Sequence, residues 1–186
     1  MGKLILILGG ARSGKSTYAE KLASSLGAHA TYIATAQALD AEMEERIANH
    51  RRNRPETWQT REIPFEVGKK LLETPPGPGV VLLDCLTLLV SNLLMQISDP
   101  EGEIEAQAAA LLVENEINYL LKAVQNLPND WLIVSNEVGM GLVPPYPLGR
   151  AYRDLLGWAN QRLASQADQV VFMIAGIPMR LTPLAT

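Results

Sequence analysis

The chain has 186 residues, of which 47% are hydrophobic and 19% are charged, and its formal net charge at pH 7 is −4. This length supports one domain with a substantial core, and the mildly acidic balance excludes a broad basic surface for nucleic acid or an anionic membrane. The one cysteine, Cys85, excludes an internal disulfide and is typical of a reducing compartment. The apolar run from Leu4 to Leu8 is too short for a membrane span or a signal peptide. We therefore expect a single cytoplasmic domain over residues 1–186.

The first distinctive stretch follows that apolar run, which itself predicts a buried strand. Residues 9–16 match the pattern G-x-x-x-x-G-K-[ST], and we call them the P-loop. Glycines let the backbone curl so that its N–H groups point at phosphate oxygens, and the start of the following helix adds positive potential. The lysine of the pattern reaches the β- and γ-phosphates, and the serine hydroxyl can bind Mg²⁺. The pattern therefore predicts a nucleotide-phosphate site made by Gly9, Gly10, Ala11, Arg12, Ser13, Gly14, Lys15 and Ser16.

Apolar strands and amphipathic helices alternate along the rest of the chain. Their periodicity predicts strands at 30–34, 59–63, 80–84, 131–135 and 170–174. Helices are predicted after the P-loop as far as residue 26, and then from 41, 64, 86, 104 and 148 onward. Such alternation indicates an α/β fold with a mostly parallel sheet and helices on both faces, in which ligands bind beyond the carboxyl ends of the strands.

Two carboxylates are candidates for organising Mg²⁺ at that edge of the sheet. Asp84 ends an apolar strand, where P-loop proteins place such a group. Glu137 follows the strand at 131–135 in the same way. Either side chain could instead accept a proton from a substrate hydroxyl, or Asp84 could simply form a turn. The sequence leaves these roles open.

The second candidate catalytic residue is a histidine in the helix predicted from residue 41. His50 is followed by Arg51, Arg52 and Arg54, and so many cations beside an anion site indicate phosphate binding. Neutral imidazole can attack phosphorus without prior activation, and the arginines could spread the charge of the transition state. A solvated helix end, where cations offset the helix dipole, is the alternative. Neither His29, in a loop, nor Cys85, in an apolar run, is assigned a role.

Several motifs together resemble one known family. They are the P-loop with the preceding Leu8, Tyr32-Ile-Ala-Thr-Ala36, Arg46-Ile-Ala-Asn-His50 with Arg54-Pro55, and Ser135-Asn-Glu-Val-Gly-Met-Gly-Leu-Val-Pro144. In this order they resemble the bifunctional adenosylcobinamide kinase/adenosylcobinamide-phosphate guanylyltransferase of cobalamin biosynthesis. The similarity covers almost the whole chain. The P-loop alone is not specific, whereas the His50 segment and the Asn-Glu-Val-Gly-Met-Gly block together are.

The resemblance implies a RecA-like P-loop NTPase fold, a homotrimer and two reactions. A nucleoside triphosphate (GTP or ATP) phosphorylates the aminopropanol hydroxyl of adenosylcobinamide. A histidine, matched here by His50, then attacks the α-phosphorus of GTP, and the resulting GMP-histidine passes GMP to adenosylcobinamide phosphate to give adenosylcobinamide-GDP. Mg²⁺ would be held by Ser16 and Asp84, with Lys15 and His50 catalytic. Besides the P-loop, the family's nucleotide-binding positions fall here on Ala34, Thr35, Ala36, Arg51, Arg52, Asn53, Arg54, Glu62 and Asp84.

Two other functions fit the P-loop without the resemblance. One is a small-molecule or nucleoside kinase in which His50 is only structural. The other is a nucleotide-controlled switch that binds a partner protein. Neither the preference for guanine nor the corrinoid site can be assigned from these residues, although the Gly- and Pro-rich loop from Gly139 to Pro147 is a candidate lid.

Overall fold

The computed structural model describes residues 2–37, 54–99 and 102–182. Strands and helices alternate through the described chain as the periodicity predicts. The strands are β1 (Leu4–Gly9), β2 (Ala30–Ala34), β3 (Gln59–Glu62), β4 (Val80–Asp84), β5 (Asp130–Val134), β6 (Gln169–Ile174) and β7 (Ile177–Leu181). The helices are α1 (Lys15–Leu26), α2 (Val67–Glu73), α3 (Leu86–Ile97), α4 (Ala106–Asn126) and α5 (Pro147–Ala164). The predicted helix from residue 41 lies outside the described residues.

The seven strands form one sheet in the order β3-β2-β4-β5-β1-β6-β7. The first six strands in this order are parallel to one another, and β7 pairs antiparallel with β6. β5 lies between β1 and β4, with Ile7 opposite Val134 on one side and Asp84 opposite Val134 on the other. The loop after β5 therefore emerges between the P-loop and Asp84.

Helices cover both faces of the sheet, which confirms the predicted fold class. Alternate residues of the central strands point to opposite sides because the side-chain period of a strand is two. On one face Leu6, Leu83 and Ile133 pack with α2, α3, α4 and α5. On the other face Ile7, Leu82 and Leu132 pack with Ala19 and Ala23 of α1. Burial on both faces explains why these strands are continuous apolar runs rather than alternating ones.

Several element boundaries differ from the sequence-based prediction, and one strand is additional. The helix predicted from Pro64 begins at Val67, and the one predicted from Ile104 begins at Ala106. β7 was not predicted at all. It follows β6 through the two-residue turn Ala175-Gly176, in which both residues have positive φ. This backbone matches the hairpin turn that usually contains Asn-Gly or Asp-Gly, so its residue signal is weak. No helix among the described residues has both the length and the apolar composition that a membrane crossing requires.

A candidate nucleotide site at the carboxyl edge of the sheet

The P-loop joins β1 to α1 through backbone that only glycine adopts easily. Gly9 has φ +151° and Gly14 has φ +93°. A Cβ on Gly9 would lie 2.6 Å from the carbonyl oxygen of Met173 on β6. The P-loop is also tied to the turn between β6 and β7, because Gly176 N–H donates to the carbonyl of Ser13 at 3.0 Å. The β6–β7 turn thus helps to fix the backbone of the P-loop.

The first turn of α1 provides unpaired donors for an anion. Its N-cap residue, Gly14, makes no side-chain hydrogen bond to the helix start. The N–H groups of the first turn have no partner within the helix, and the positive end of the helix dipole lies at the same place. A phosphate bound there would satisfy both, as at other helix N-termini that follow glycine-rich loops.

Lys15, the lysine of the P-loop pattern, is almost fully buried. Its Nζ donates to the carbonyl of Gly10 at 2.6 Å. Burial lowers the pKa of Lys15, while the nearby Cys85 and Asp84 act in the opposite direction. Within the described residues one carbonyl accepts from this ammonium group, and nearby Cys85 and Asp84 offset its burial only in part, so a phosphate group beside it would be favoured.

A cleft of about 510 Å³ opens above the P-loop, which is within the usual range for small-molecule sites. Its walls come from the P-loop, α1 and the carboxyl ends of β2, β4 and β5. The residues that line it are Ala11, Arg12, Ser13, Gly14, Lys15, Ser16, Thr17, Tyr32, Ala34, Ala36, Arg54, Asp84, Cys85, Thr87, Leu88, Val134 and Asn136.

Asp84 is held by a tyrosine from the neighbouring strand. Tyr32 Oη donates to Asp84 Oδ2 at 2.9 Å. Burial, together with the charge of Asp84, raises the pKa of Tyr32 far above its usual range. The phenol therefore stays protonated at any working pH and keeps donating. Oδ1 is the remaining acceptor oxygen of the carboxylate.

Arg54 lies on the other side of the same tyrosine. Its guanidinium carbon is 3.3 Å from the centroid of the Tyr32 ring, and its side chain is almost fully buried. Arg54 Nε is 3.9 Å from Glu20 Oε1, and Nη1 donates to Thr60 Oγ1 at 3.2 Å. Stacking on an aromatic ring and a nearby carboxylate are the partners that suit a guanidinium group in a buried site.

The donor set of the cleft fits Mg²⁺. Mg²⁺ prefers oxygen ligands and usually keeps waters and substrate phosphates in its coordination shell. Ser16 and Asp84 both line the cleft and supply a hydroxyl and a carboxylate. Within the described ranges no three His, Cys, Asp or Glu side chains form a preassembled metal cluster. A nucleotide-bound Mg²⁺ with two protein ligands is the arrangement that these residues can support.

The carboxyl end of β5 completes the site. Asn136 N–H donates to Thr87 Oγ1 at 2.7 Å, and Asn160 Nδ2 donates to the Asn136 carbonyl at 3.0 Å. Glu137 N–H donates to the Gly9 carbonyl at 3.1 Å, so the backbone of Glu137 lies directly beside the P-loop. Glu137 is partly exposed, and its Oε1 accepts from Gly139 N–H at 2.6 Å.

Comparison with known proteins agrees with this site. A family model described as cobinamide kinase / cobinamide phosphate guanyltransferase matches residues 5–181. The chain belongs to this family. It is 44% identical over 176 residues to the bifunctional adenosylcobalamin biosynthesis protein CobP of Pseudomonas aeruginosa, with 95% of each chain covered. The bifunctional proteins named CobU of Escherichia coli and Salmonella typhimurium are 42% and 40% identical, over 96% of this chain and 99% of each relative.

Among solved structures, the P4 protein from bacteriophage phi6 in complex with ADP is a distant match. Its TM-score is 0.42 and its sequence identity is 14%, over 95% of this chain and 52% of that one. This likeness is too weak to support a conclusion about the family's chemistry.

The structure brings most of the predicted site residues together. Gly9 and Gly10 begin the P-loop, and the remaining P-loop residues line the cleft with Ala34, Ala36, Arg54 and Asp84. His50, Arg51, Arg52 and Asn53 lie outside the described residues. Glu62 ends β3 at the edge of the sheet and is not among the residues that line the cleft.

Two side chains near the cleft have structural contacts that the sequence did not suggest. Thr35 is fully buried, and its hydroxyl donates to the Cys85 carbonyl at 2.7 Å and accepts from Cys85 N–H at 2.9 Å. It ties the end of β2 to the end of β4. Cys85, which lies in an apolar run of the sequence, packs partly buried against the core and also lines the cleft, and burial raises the pKa of its thiol to about 11.

The main residue that the sequence analysis missed is Tyr32. It lies within a quoted motif, but its role depends on Asp84, 52 positions later in the chain. Thr87 was missed for the same reason, and Asn136, which lies in a quoted motif, was not assigned to the site. Each follows a strand at the carboxyl edge, and that position is the only sequence signal that could have indicated them.

Proposed function

We propose that this chain performs both reactions that define its family. It phosphorylates the hydroxyl of adenosylcobinamide from a nucleoside triphosphate, and it then transfers GMP from GTP to adenosylcobinamide phosphate. The observation that carries the proposal is the cleft, in which the P-loop and buried Lys15 face Asp84 in a chain that belongs to the family. We further propose that residues 1–186 act as one cytoplasmic domain and that the enzyme uses Mg²⁺ with GTP or ATP.

In the kinase step, the P-loop holds the triphosphate. Amide donors of the first turn of α1 and Lys15 contact the β- and γ-phosphates, so that developing charge meets groups that are already in place. Ser16 and Asp84 would hold Mg²⁺, which neutralises phosphate charge and orients the leaving group. The substrate hydroxyl oxygen forms a bond to the γ-phosphorus as the bond to the nucleoside diphosphate breaks.

The hydroxyl proton needs an acceptor, and Glu137 suits this role better than Asp84. One oxygen of Asp84 already accepts a hydrogen bond from Tyr32, and the other oxygen would bind Mg²⁺. Glu137 follows β5, which lies between the P-loop strand and the Asp84 strand. Its neighbour Asn136 lines the cleft, so in this proposal Glu137 stands beside the terminal phosphate. We therefore assign Asp84 to Mg²⁺ and Glu137 to the proton.

In the guanylyl step, His50 would attack the α-phosphorus and release pyrophosphate. The phosphate oxygen of the acceptor then displaces the imidazole, which leaves neutral. Arg54 supports this assignment because it lines the cleft. His50 precedes it by four residues, and four residues span at most about 14 Å. Arg51 and Arg52 would stabilise the triphosphate charge in both steps.

Covalent labelling tests the two steps separately. The protein is incubated with GTP labelled at the α-phosphate and then denatured. We expect an acid-labile, alkali-stable label that is absent from His50→Ala, while that variant keeps its kinase activity. Lys15→Ala should lower kinase kcat by roughly 10²–10³-fold, the usual effect of removing one transition-state donor. An unlabelled wild-type protein that nevertheless binds GTP would refute the guanylyl step.

The resemblance also implies a homotrimer, which we retain as a proposal. One surface supports self-association. Ile177, Met179 and Leu181 of β7 are exposed and lie beside Ile174 of β6, which is also exposed. We call these four residues the edge strip. β7 is the last strand on its side of the described sheet, so its outer backbone groups add open hydrogen-bonding positions to this apolar surface.

A further inference from the structure

The loop between β5 and α5 presents a second apolar surface, and Asn136, near the start of this loop, lines the cleft. Met140, Leu142, Val143 and Tyr146 have exposed fractions of 83%, 96%, 63% and 59%. We call these four residues the loop surface. Single exposed apolar residues are common, but four within seven positions of one loop leave a concentrated apolar area in water. Such areas usually mark binding sites.

The loop is fastened at both ends, so these side chains are presented by a defined backbone. At the start, Glu137 N–H donates to the Gly9 carbonyl at 3.1 Å and Gly139 N–H donates to Glu137 Oε1 at 2.6 Å. At the end, Arg150 Nη1 donates to the carbonyls of Pro144 at 3.2 Å and Pro145 at 2.7 Å. Less entropy is lost on binding to a loop that is already positioned.

The topology brings the start of this loop between the P-loop and Asp84. β5 emerges between β1, which carries the P-loop, and β4, which carries Asp84. Residues that follow β5 therefore border the position of the terminal phosphate. The acceptor hydroxyl must approach that phosphate from outside the P-loop, so the bulk of the acceptor molecule extends over whatever borders this position.

We propose that the loop surface binds the corrin ring of the acceptor. A corrin is a broad macrocycle with methyl-rich faces and amide side chains around its rim. The flexible thioether of Met140 and the branched side chains of Leu142 and Val143 suit its apolar face, while Tyr146 can pack its ring and keep its hydroxyl in water. The inference rests on the proposed kinase function and adds to it the place and the residues of acceptor binding.

A second copy of this chain is the competing occupant of the loop surface. The position favours the corrinoid, because the loop surface begins at Met140, three residues after Glu137, whose N–H donates to Gly9 of the P-loop. The edge strip lies on β7, at the outer border of the described sheet, and is the more suitable surface for another subunit. The two surfaces therefore have different expected occupants.

Equilibrium dialysis of the full-length protein against adenosylcobinamide, followed by corrin absorbance, tests the proposal directly. Leu142→Ser should raise the Kd for adenosylcobinamide about tenfold, the factor expected when roughly one leucine side chain loses its buried contact. Met140→Ser should act in the same direction. Leu111→Ser, which changes another exposed leucine, on α4, is the matched control and should leave this Kd unchanged.

Kinetics give a second, independent readout. If the loop surface binds substrate and transition state alike, Leu142→Ser raises KM for adenosylcobinamide and leaves kcat nearly unchanged. The KM for the nucleotide serves as the internal reference. An unchanged corrinoid Kd in both loop variants would overturn the proposal. So would a loss of corrinoid binding that coincides with a smaller molecular mass in sedimentation, because the surface would then be a subunit contact.

The result also separates this inference from the proposed function. Wild-type protein that binds GTP but no adenosylcobinamide at any accessible concentration would contradict the kinase function itself, and the loop inference with it. Wild-type protein that binds the corrinoid, together with loop variants that bind it equally well, would contradict only the inference about the loop.

Discussion

At the scale of single residues, the geometry of Asp84 depends on Tyr32. The phenol of Tyr32 is buried, stays protonated and donates to one oxygen of the carboxylate. The Arg54 guanidinium packs against the face of the same ring. A hydrogen bond of this kind fixes which oxygen of a metal-binding carboxylate points at the metal, and partners of metal ligands commonly affect affinity strongly.

Tyr32→Phe removes this hydrogen bond and keeps the packed ring. We expect the Mg²⁺ concentration for half-maximal kinase activity to rise by about tenfold. Binding of Mn²⁺ to the protein–nucleotide complex, followed by electron paramagnetic resonance, should weaken in parallel. Tyr119→Phe, on the exposed side of α4, is the control for loss of a phenol. A folded Tyr32→Phe protein with normal metal dependence would show that Asp84 needs no such support.

At the scale of elements, α2 begins where α4 provides a buried carboxylate. Glu116 Oε2 and Oε1 accept from the backbone N–H groups of Glu66 and Val67 at 2.9 and 2.8 Å. Burial raises the pKa of Glu116, and these N–H groups lower it in part. Because the capping group comes from 50 positions away, local sequence could not place the start of α2 at Val67.

The raised pKa of Glu116 predicts a pH dependence of stability. The folded protein keeps this proton at pH values above 4.5, the pKa of an ordinary glutamic acid, where the unfolded chain has released it. At pH values between the unfolded-state and folded-state pKa of Glu116, the folded state therefore binds more protons than the unfolded state. The free energy of unfolding falls as pH rises through this range. Glu116→Gln removes this contribution. We expect denaturant titrations from about pH 4 to about pH 7 to show wild type losing stability relative to the variant.

Glu114→Gln, on the exposed face of the same helix, is the matched control for removing one carboxylate. If the difference in unfolding free energy between wild type and Glu116→Gln is the same at every pH, Glu116 has equal proton affinity in the folded and unfolded chains. The buried position would then have no effect on its titration.

Two helical glycines should respond in opposite directions to alanine. A Cβ on Gly68 of α2 would lie 2.2 Å from the backbone of Tyr119 in α4, whereas one on Gly157 of α5 would meet nothing within 4 Å. Gly157→Ala should raise the free energy of unfolding by about 0.5–1 kcal/mol through helix propensity. Gly68→Ala should lower it by about 1–3 kcal/mol through overpacking. Chemical denaturation measures both, and a stabilised Gly68→Ala would contradict the close approach of α2 and α4.

At the scale of the whole molecule, the two borders of the described sheet differ in character. β3 is a four-residue strand of Gln-Thr-Arg-Glu, a polar composition that discourages further pairing. β7 carries the apolar edge strip instead. The proposed homotrimer requires at least one surface that becomes buried between subunits, and the edge strip meets that requirement.

Met179→Glu places a charge in the edge strip and should shift the protein toward monomers. Sedimentation equilibrium measures the change in mass, and circular dichroism checks that the fold is retained. Met95→Glu, at a similarly exposed methionine of α3, is the control and should leave the mass unchanged. A wild-type protein that sediments as a monomer at micromolar concentration would contradict the homo-oligomer. A Met179→Glu variant that remains a trimer would show that the interface lies elsewhere.

Much of the fold was accessible from the sequence because its signals are local. The apolar strands, the P-loop spacing and the periodicity of α1 each depend on neighbouring residues, and the structure confirms them. β7 escaped prediction because Pro178 interrupts a short run and the turn lacks the usual Asn-Gly signal. Pro178 is accommodated because β7 lies at the border of the sheet.

The sequence by itself determined that a triphosphate-binding loop follows the first strand, since glycine backbone freedom, a lysine and a serine at that spacing are sufficient for it. It also determined the class of sheet, because strands buried on both faces must be continuously apolar. Only the tertiary structure decided that β5 lies between β1 and β4, that Tyr32 holds Asp84, and that the loop after β5 begins beside the P-loop. These are pairings between distant positions, and strand order is set by packing that no local pattern encodes.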